Sequence, residues 1–270
     1  MNTLISATEL KRLIASANVP VLLADCRFNL AKPDEGEQLF VDTHLPDAVY
    51  LHLDRDLSAP VTPGVTGRHP LPDKAAFLAK LRSCGFSPAH CLVAYDASGG
   101  AFAARAWWLA QWAGIEQAFV LDGGMQAWDN DKSTLAATQA QAAGEVVVVE
   151  AAEIGKPEYT PLVDAREEIR FRGDVEPIDP VAGHIPGAQC LPFPGNLDDN
   201  GYFHSRAVLR KRFAPLYQSG QTPVMYCGSG VTAAHNCLAA VHAGFPMPRL
   251  YAGSWSEWIT DPSRPTARGD

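Results

Sequence analysis

The sequence predicts an α/β fold built twice in tandem, each copy a mainly parallel sheet flanked by helices. Three observations carry this. Short apolar runs alternate with helical runs along the chain, the pattern of parallel strands joined by helical crossovers. Four blocks of the first half recur in the second half in the same order. Between the two sets lies a polar run, 133–145, rich in Ala, Gln and Thr and without apolar periodicity, which reads as a linker. The expected division is therefore a first domain over 1–132, a linker over 133–145 and a second domain over 146–270. A length of 270 residues suits two domains of ordinary size.

The elements follow in order. Residues 7–14 have the spacing of a short amphipathic helix, with no basic and apolar leader ahead of them. Residues 19–27 form an apolar strand that ends on Asp25 and Arg27, and 159–166 repeat that form with Asp164 and Arg166. His44-Leu45-Pro46-Asp47-Ala48 is answered by His184-Ile185-Pro186-Gly187-Ala188, each followed by a short apolar run. The strand at 91–95 leads into the turn Asp96-Ala97-Ser98-Gly99-Gly100 and a helix over 102–113 carrying Trp107, Trp108 and Trp112. Its counterpart is a strand over 223–226, the turn Cys227-Gly228-Ser229-Gly230 and a helix over 233–243. The block 120–128 is answered by 250–258, where Trp255 and Trp258 are expected to pack the end of the second copy's helix.

The Cys227 turn is where chemistry is expected. Its thiol sits between the end of a strand and the start of a helix. Backbone N–H groups of a tight glycine-bearing turn can converge as an anion-binding nest, and the helix N-terminus adds free donors and a positive dipole end. Both favour a thiolate, the nucleophilic form. A buried structural cysteine beside a helix start is the alternative local reading. The duplication bears on this choice, because the counterpart of Cys227 is Asp96. An acid in the equivalent turn leaves the first copy without the nucleophile, so one active and one silent domain is the simplest account.

Composition removes several other classes. Net charge is -8 with no block of Lys or Arg, which argues against nucleic-acid binding. No run approaches the length of a membrane span. None of the six cysteines forms a C-x-x-C pair or clusters with His at zinc spacing, so neither metal nor cofactor is expected, and a reducing cytoplasm fits. Cys26, Cys84, Cys91, Cys190 and Cys237 lie in or beside apolar runs and read as core.

Taken together, Asp164-Ala165-Arg166, Gly183-His184-Ile185-Pro186-Gly187-Ala188, the Cys227 turn and Gly253-Ser254-Trp255-Ser256-Glu257-Trp258 resemble the two-domain rhodanese family of sulfurtransferases over nearly the whole chain. Within that family the turn Cys227-Gly228-Ser229-Gly230-Val231-Thr232 is similar to the branch that prefers 3-mercaptopyruvate, whereas thiosulfate-preferring members carry cations beside the thiol. The resemblance implies sulfur transfer through a Cys227 persulfide, with pyruvate released and the sulfur passed to a thiol such as that of thioredoxin, or to cyanide. It implies a cradle from the backbone of Gly228, Gly230, Val231 and Thr232. It further implies a relay of Ser229, His69 and Asp54, the last two supplied by the first domain, and a substrate carboxylate held by Arg170. Arg166, repeated as Arg27, is expected to be a structural ion pair with Asp164, and His184 and Gly187 belong to a repeated structural turn.

One departure stands out. The branch carries a second arginine after Glu-Pro, and here Glu176-Pro177 is followed by Ile178-Asp179, with Arg172 the candidate to swing into its place. This keeps thiosulfate:cyanide transfer as the alternative within the class. A non-catalytic sulfur carrier or interaction module is the alternative outside it. A cysteine phosphatase is excluded, because the arginine it needs six positions after the cysteine is here Ala233.

Overall fold

The computed structural model describes residues 3–133, 135 and 144–270. Most of the linker expected at 133–145 lies outside the described residues. The first half holds β1 (Leu4–Ile5), α1 (Ala7–Ser16), β2 (Val21–Asp25), α2 (Glu35–Asp42), β3 (Val49–Tyr50), α3 (Lys74–Ser83), β4 (Cys91–Tyr95), α4 (Ala103–Trp112), β5 (Ala118–Leu121) and the short α5 (Gly124–Ala127). The second holds β6 (Leu162–Asp164), α6 (Glu168–Phe171), β7 (Gln189–Cys190), α7 (Arg206–Phe213), β8 (Val224–Tyr226), α8 (Thr232–His242), β9 (Arg249–Leu250) and α9 (Ser254–Trp258).

Helix starts follow local chemistry. The Ser6 hydroxyl accepts from the Glu9 N–H at α1, and the Asp73 carboxylate does the same for Ala76 at α3. Among the described residues every strand pair is parallel. The first sheet runs β1-β5-β4-β2-β3 and the second β7-β6-β8-β9. A parallel bridge from Val148 to Leu250 stands in the second half where β1 meets β5 in the first. The strand order is thus the same in both, and the duplication read from sequence is a duplication of topology. Smaller details repeat as well. His44 Nδ1 meets the Phe40 carbonyl and the ring stacks on Phe40, while His184 Nδ1 meets the Phe171 carbonyl and stacks on Phe171.

The helices that follow the two key turns, α4 and α8, pack against each other. Both are alanine-rich, which lets their backbones approach closely; Ala103, Ala104, Ala106, Ala233, Ala234 and Ala240 are all fully buried. One apolar cluster runs from Leu22 and Trp108 in the first half to Met225, Leu238 and Cys227 in the second. The Cys227 turn is therefore held at the seam between the halves. Cys26, Cys91 and Cys237 are core residues, as expected. Cys84 and Cys190 are only half-buried, because one ends α3 and the other closes the short edge strand β7. Among the described residues no helix is long and apolar enough to cross a membrane.

Candidate active site

Strand β8 delivers Cys227 to the end of the sheet, and α8 begins five residues later. The thiol is 2% exposed but lines a cavity of about 570 Å³ formed by both halves of the chain. Its backbone N–H donates to Ser254 Oγ at 3.1 Å, and the Gly230 N–H donates to Sγ at 3.2 Å. Gly230 has φ of +77°, and a Cβ there would stand 2.4 Å from the Ala252 carbonyl oxygen, so the turn needs glycine at this point.

The turn at Asp96 shows what this backbone binds. The Asp96 carboxylate accepts from the N–H groups of Ser98, Gly100, Phe102 and Ala103, at 2.8 to 2.9 Å. An anion fills the nest in the first half. The equivalent positions in the second half are Ser229, Val231, Ala233 and Ala234. There Ala234 donates to the Val231 carbonyl, while the N–H groups of Ser229, Val231 and Ala233 keep no partner among the described residues. The same cradle stands open in front of a thiol.

The three residues expected to form a relay lie in contact. Ser229 Oγ lies 2.7 Å from His69 Nδ1, and His69 Nε2 lies 3.2 Å from Asp54 Oδ1. The tautomer that satisfies both contacts carries its proton on Nε2, donates to Asp54 and accepts the Ser229 hydroxyl at Nδ1. Burial pushes His69 below its ordinary value, against the opposing pull of Asp54, so the ring is neutral at pH 7 and able to take a proton. The hydrogen bond from His69 holds Asp54 below the usual carboxylate range.

Arg170 lines the cavity, at the end of α6. Its Nε and Nη2 grip Glu176, with Nη2 at 2.7 Å from Oε1, and Nη2 also reaches Asp179 Oδ2 at 3.2 Å. Burial pushes Glu176 up, but Arg170 and the N–H groups of Asp179 and Ile178 outweigh it and bring the carboxyl below its ordinary value. Arg172 does not approach the site; it pairs with Asp174 and Asp270 at the surface. Arg166 pairs with Asp164 and Glu176 and lies over the Trp255 ring, in keeping with a structural role. Trp255 is fully buried, and its Nε1–H donates to the Val181 carbonyl.

Sequence reasoning missed Arg68. Its backbone N–H donates to Ser256 Oγ across the seam, and its guanidinium pairs with Asp179. Arg68 Nη2 lies 2.9 Å, and Arg170 Nη1 and Nη2 each 3.8 Å, from the point where a Cβ on Gly228 would stand. Two guanidiniums thus converge beside the thiol, one from each half, with Asp179 between them. Asp179 is pushed up by burial, against the pull of Arg68. Arg68 Nε is buried and makes no hydrogen bond among the described residues. The only signal in the sequence was adjacency to His69. Among the described residues no group of three or more His, Cys, Asp or Glu is placed to hold a metal ion.

Comparison with known proteins gives a consistent picture. The rhodanese-like domain matches the chain twice, over residues 6–131 and 149–261. A Pseudomonas aeruginosa protein named probable 3-mercaptopyruvate sulfurtransferase is 48% identical over 99% of this chain and 98% of its own length. A Mycobacterium tuberculosis protein named putative thiosulfate sulfurtransferase is 39% identical over 98% of this chain and 97% of its own. The solved 3-mercaptopyruvate sulfurtransferase from Leishmania major superposes with a TM-score of 0.79 at 29% identity, over 95% of this chain and 74% of that one.

Proposed function

The chain is a sulfurtransferase of the rhodanese family, and we propose that it takes sulfur from 3-mercaptopyruvate through a persulfide on Cys227. The observation that carries this reading is the convergence of Arg68 and Arg170 over Gly228, beside the thiol and the Ser229–His69–Asp54 chain. Two guanidinium edges suit a carboxylate, and a hydrogen-bonded Ser–His–Asp chain suits a donor whose thiol must lose a proton.

The Cys227 thiolate attacks the sulfur of 3-mercaptopyruvate, forming the S–S bond. The C–S bond breaks, and its electron pair leaves with the three-carbon fragment as pyruvate enolate. The donor thiol proton passes through Ser229 to His69 and returns to the enolate carbon, giving pyruvate. Cys227 retains the transferred sulfur as a persulfide anion, cradled by the backbone N–H groups of Ser229, Val231, Thr232 and Ala233. A thiolate acceptor, or cyanide in an assay, then attacks the outer sulfur and frees Cys227. A protein thiol such as that of thioredoxin is the proposed acceptor, and a reducing cytoplasm the proposed setting. The first domain, 1–132, serves as the silent half that supplies His69, Asp54 and Arg68, and 146–270 carries the nucleophile.

The name of the mycobacterial relative keeps thiosulfate as the competing donor. A side-by-side kcat/KM for the two donors with cyanide as the shared acceptor decides between them. The proposal expects 3-mercaptopyruvate to be favoured, and equal or inverted values would overturn the donor assignment.

A further inference from the structure

Arg105 lies on α4 of the silent half and is fully buried. A buried guanidinium is costly unless its charge is met. The other arginines around the cavity each face carboxylates: Arg68 faces Asp179, Arg170 faces Glu176 and Asp179, Arg166 faces Asp164 and Glu176, and Arg27 faces Asp25. Arg105 faces none. Its hydrogen bonds all end on carbonyl oxygens, of Gly230 at 3.3 Å, His69 at 3.1 Å, and Leu57 and Pro70 at 3.4 Å each. Two of those carbonyls belong to the machinery described above. Gly230 is the residue whose N–H donates to Cys227 Sγ, and His69 is the centre of the proton chain.

The duplication supplies a control within the molecule. Gly99 occupies the place in the silent turn that Gly230 occupies in the active one, each three residues after the key position. From α8, His235 Nε2 meets the Gly99 carbonyl oxygen at 3.0 Å. Each helix therefore braces the other half's turn at the same carbonyl. Burial pushes His235 down to about 4, so this brace is neutral at pH 7, and it serves a turn whose anion, Asp96, is already met by four N–H groups. The cationic brace serves the turn that carries the thiol. Burial pulls Arg105 down to about 10, which leaves it charged at neutral pH, and Cys227 is the acidic group that pulls it back up.

We infer that Arg105 is a positioning residue for sulfur transfer. It ties the Gly230 turn to the His69 segment across the seam, and its unmatched charge stabilises the anionic forms of Cys227, thiolate and persulfide. This rests on Cys227 being the sulfur carrier, so the test is made on the thiol itself and needs no turnover. The other groups facing that thiol are Arg68 and Arg170 across Gly228, with Asp179 and Glu176 behind them, and His69 through Ser229. Cys237 follows on its own helix, and Arg27, Glu35, Arg166 and Glu167 line the cavity. All of these are unchanged in the Arg105 variants.

The rate at which iodoacetamide labels Cys227 is followed against pH, by mass spectrometry of the Cys227 peptide, in wild type, Arg105→Gln and Arg105→Lys. The expected result is a midpoint raised by about one pH unit or more in Arg105→Gln, and raised in Arg105→Lys only as far as the buried ammonium sheds its charge. A midpoint unchanged in Arg105→Gln would overturn the charge role. Should Arg105→Gln fail to fold, Arg105→Met takes its place, since it fills the same space without burying an unpaired amide. A labelling midpoint unchanged in Arg105→Met would overturn the charge role in the same way.

Discussion

Asp179→Asn should move donor preference toward thiosulfate. Asp179 lies between Arg68 and Arg170, its side chain 2% exposed, and offsets part of their charge. Asparagine keeps the shape and one acceptor oxygen but removes the negative charge. A donor anion in front of the two guanidiniums sits roughly 7 Å from that carboxylate. At an effective dielectric constant of about 20, two unit charges at that distance interact by about 2.4 kcal/mol. A dianion feels twice the interaction of a monoanion, so the variant favours thiosulfate over 3-mercaptopyruvate by that further amount, or about half of it after screening at the cavity mouth. The ratio of kcat/KM for thiosulfate to that for 3-mercaptopyruvate should rise about eightfold to about fiftyfold. The assay is thiocyanate formation from each donor with cyanide as acceptor, at pH 8. Because burial raises Asp179, wild type should approach the variant as pH falls and the carboxyl takes a proton. A ratio within about twofold of wild type in a stably folded variant would refute the reasoning, since no arrangement of these charges leaves the dianion indifferent to losing one.

Three further outcomes are expected. Arg170→Ala should raise KM for 3-mercaptopyruvate by about tenfold to about a hundredfold, the worth of a charge-assisted hydrogen bond, with a smaller change in kcat; an unchanged KM would remove Arg170 from donor binding. His69→Ala should lower kcat with 3-mercaptopyruvate by about a hundredfold or more, and normal turnover would show that the proton takes another route. The acidic limb of the wild-type pH–rate profile should fall below about 6.5, because burial pushes His69 down and the ring must be neutral to accept a proton. Asp54 opposes that push, so Asp54→Asn should shift the limb to still lower pH, and a shift upward would contradict the assigned contact.

The parts of this molecule that were readable from sequence are those fixed by local chain geometry or by repetition. A strand, a glycine-bearing turn and an alanine-rich run place Cys227 without knowledge of anything distant. The recurrence of Asp-x-Arg and His-x-Pro-x-Ala in the same order exposed the duplication, and with it the contrast between Cys227 and Asp96. His69 and Asp54 were reached through resemblance, and the structure brings them to Ser229. Arg68 and Arg105 were not legible because neither belongs to a local pattern. Arg68 enters the cavity only because its loop docks on Ser256, 188 residues away. Arg105 sits among alanines and tryptophans in α4, where nothing in the helical spacing marks a charge directed at the other half. Asp179 read as an acid standing where an arginine was wanted; in three dimensions it is what Arg68 and Arg170 share.

The proposed chemistry requires a sulfur carried on Cys227. Incubation with 3-mercaptopyruvate in the absence of any acceptor, followed by mass spectrometry of the peptides, tests it most directly. The peptide containing Cys227 should gain the mass of one sulfur atom, lose it when cyanide is added, and show no gain in Cys227→Ser. An unmodified Cys227 peptide while pyruvate is released, or sulfur found on another of the six cysteines, would contradict it.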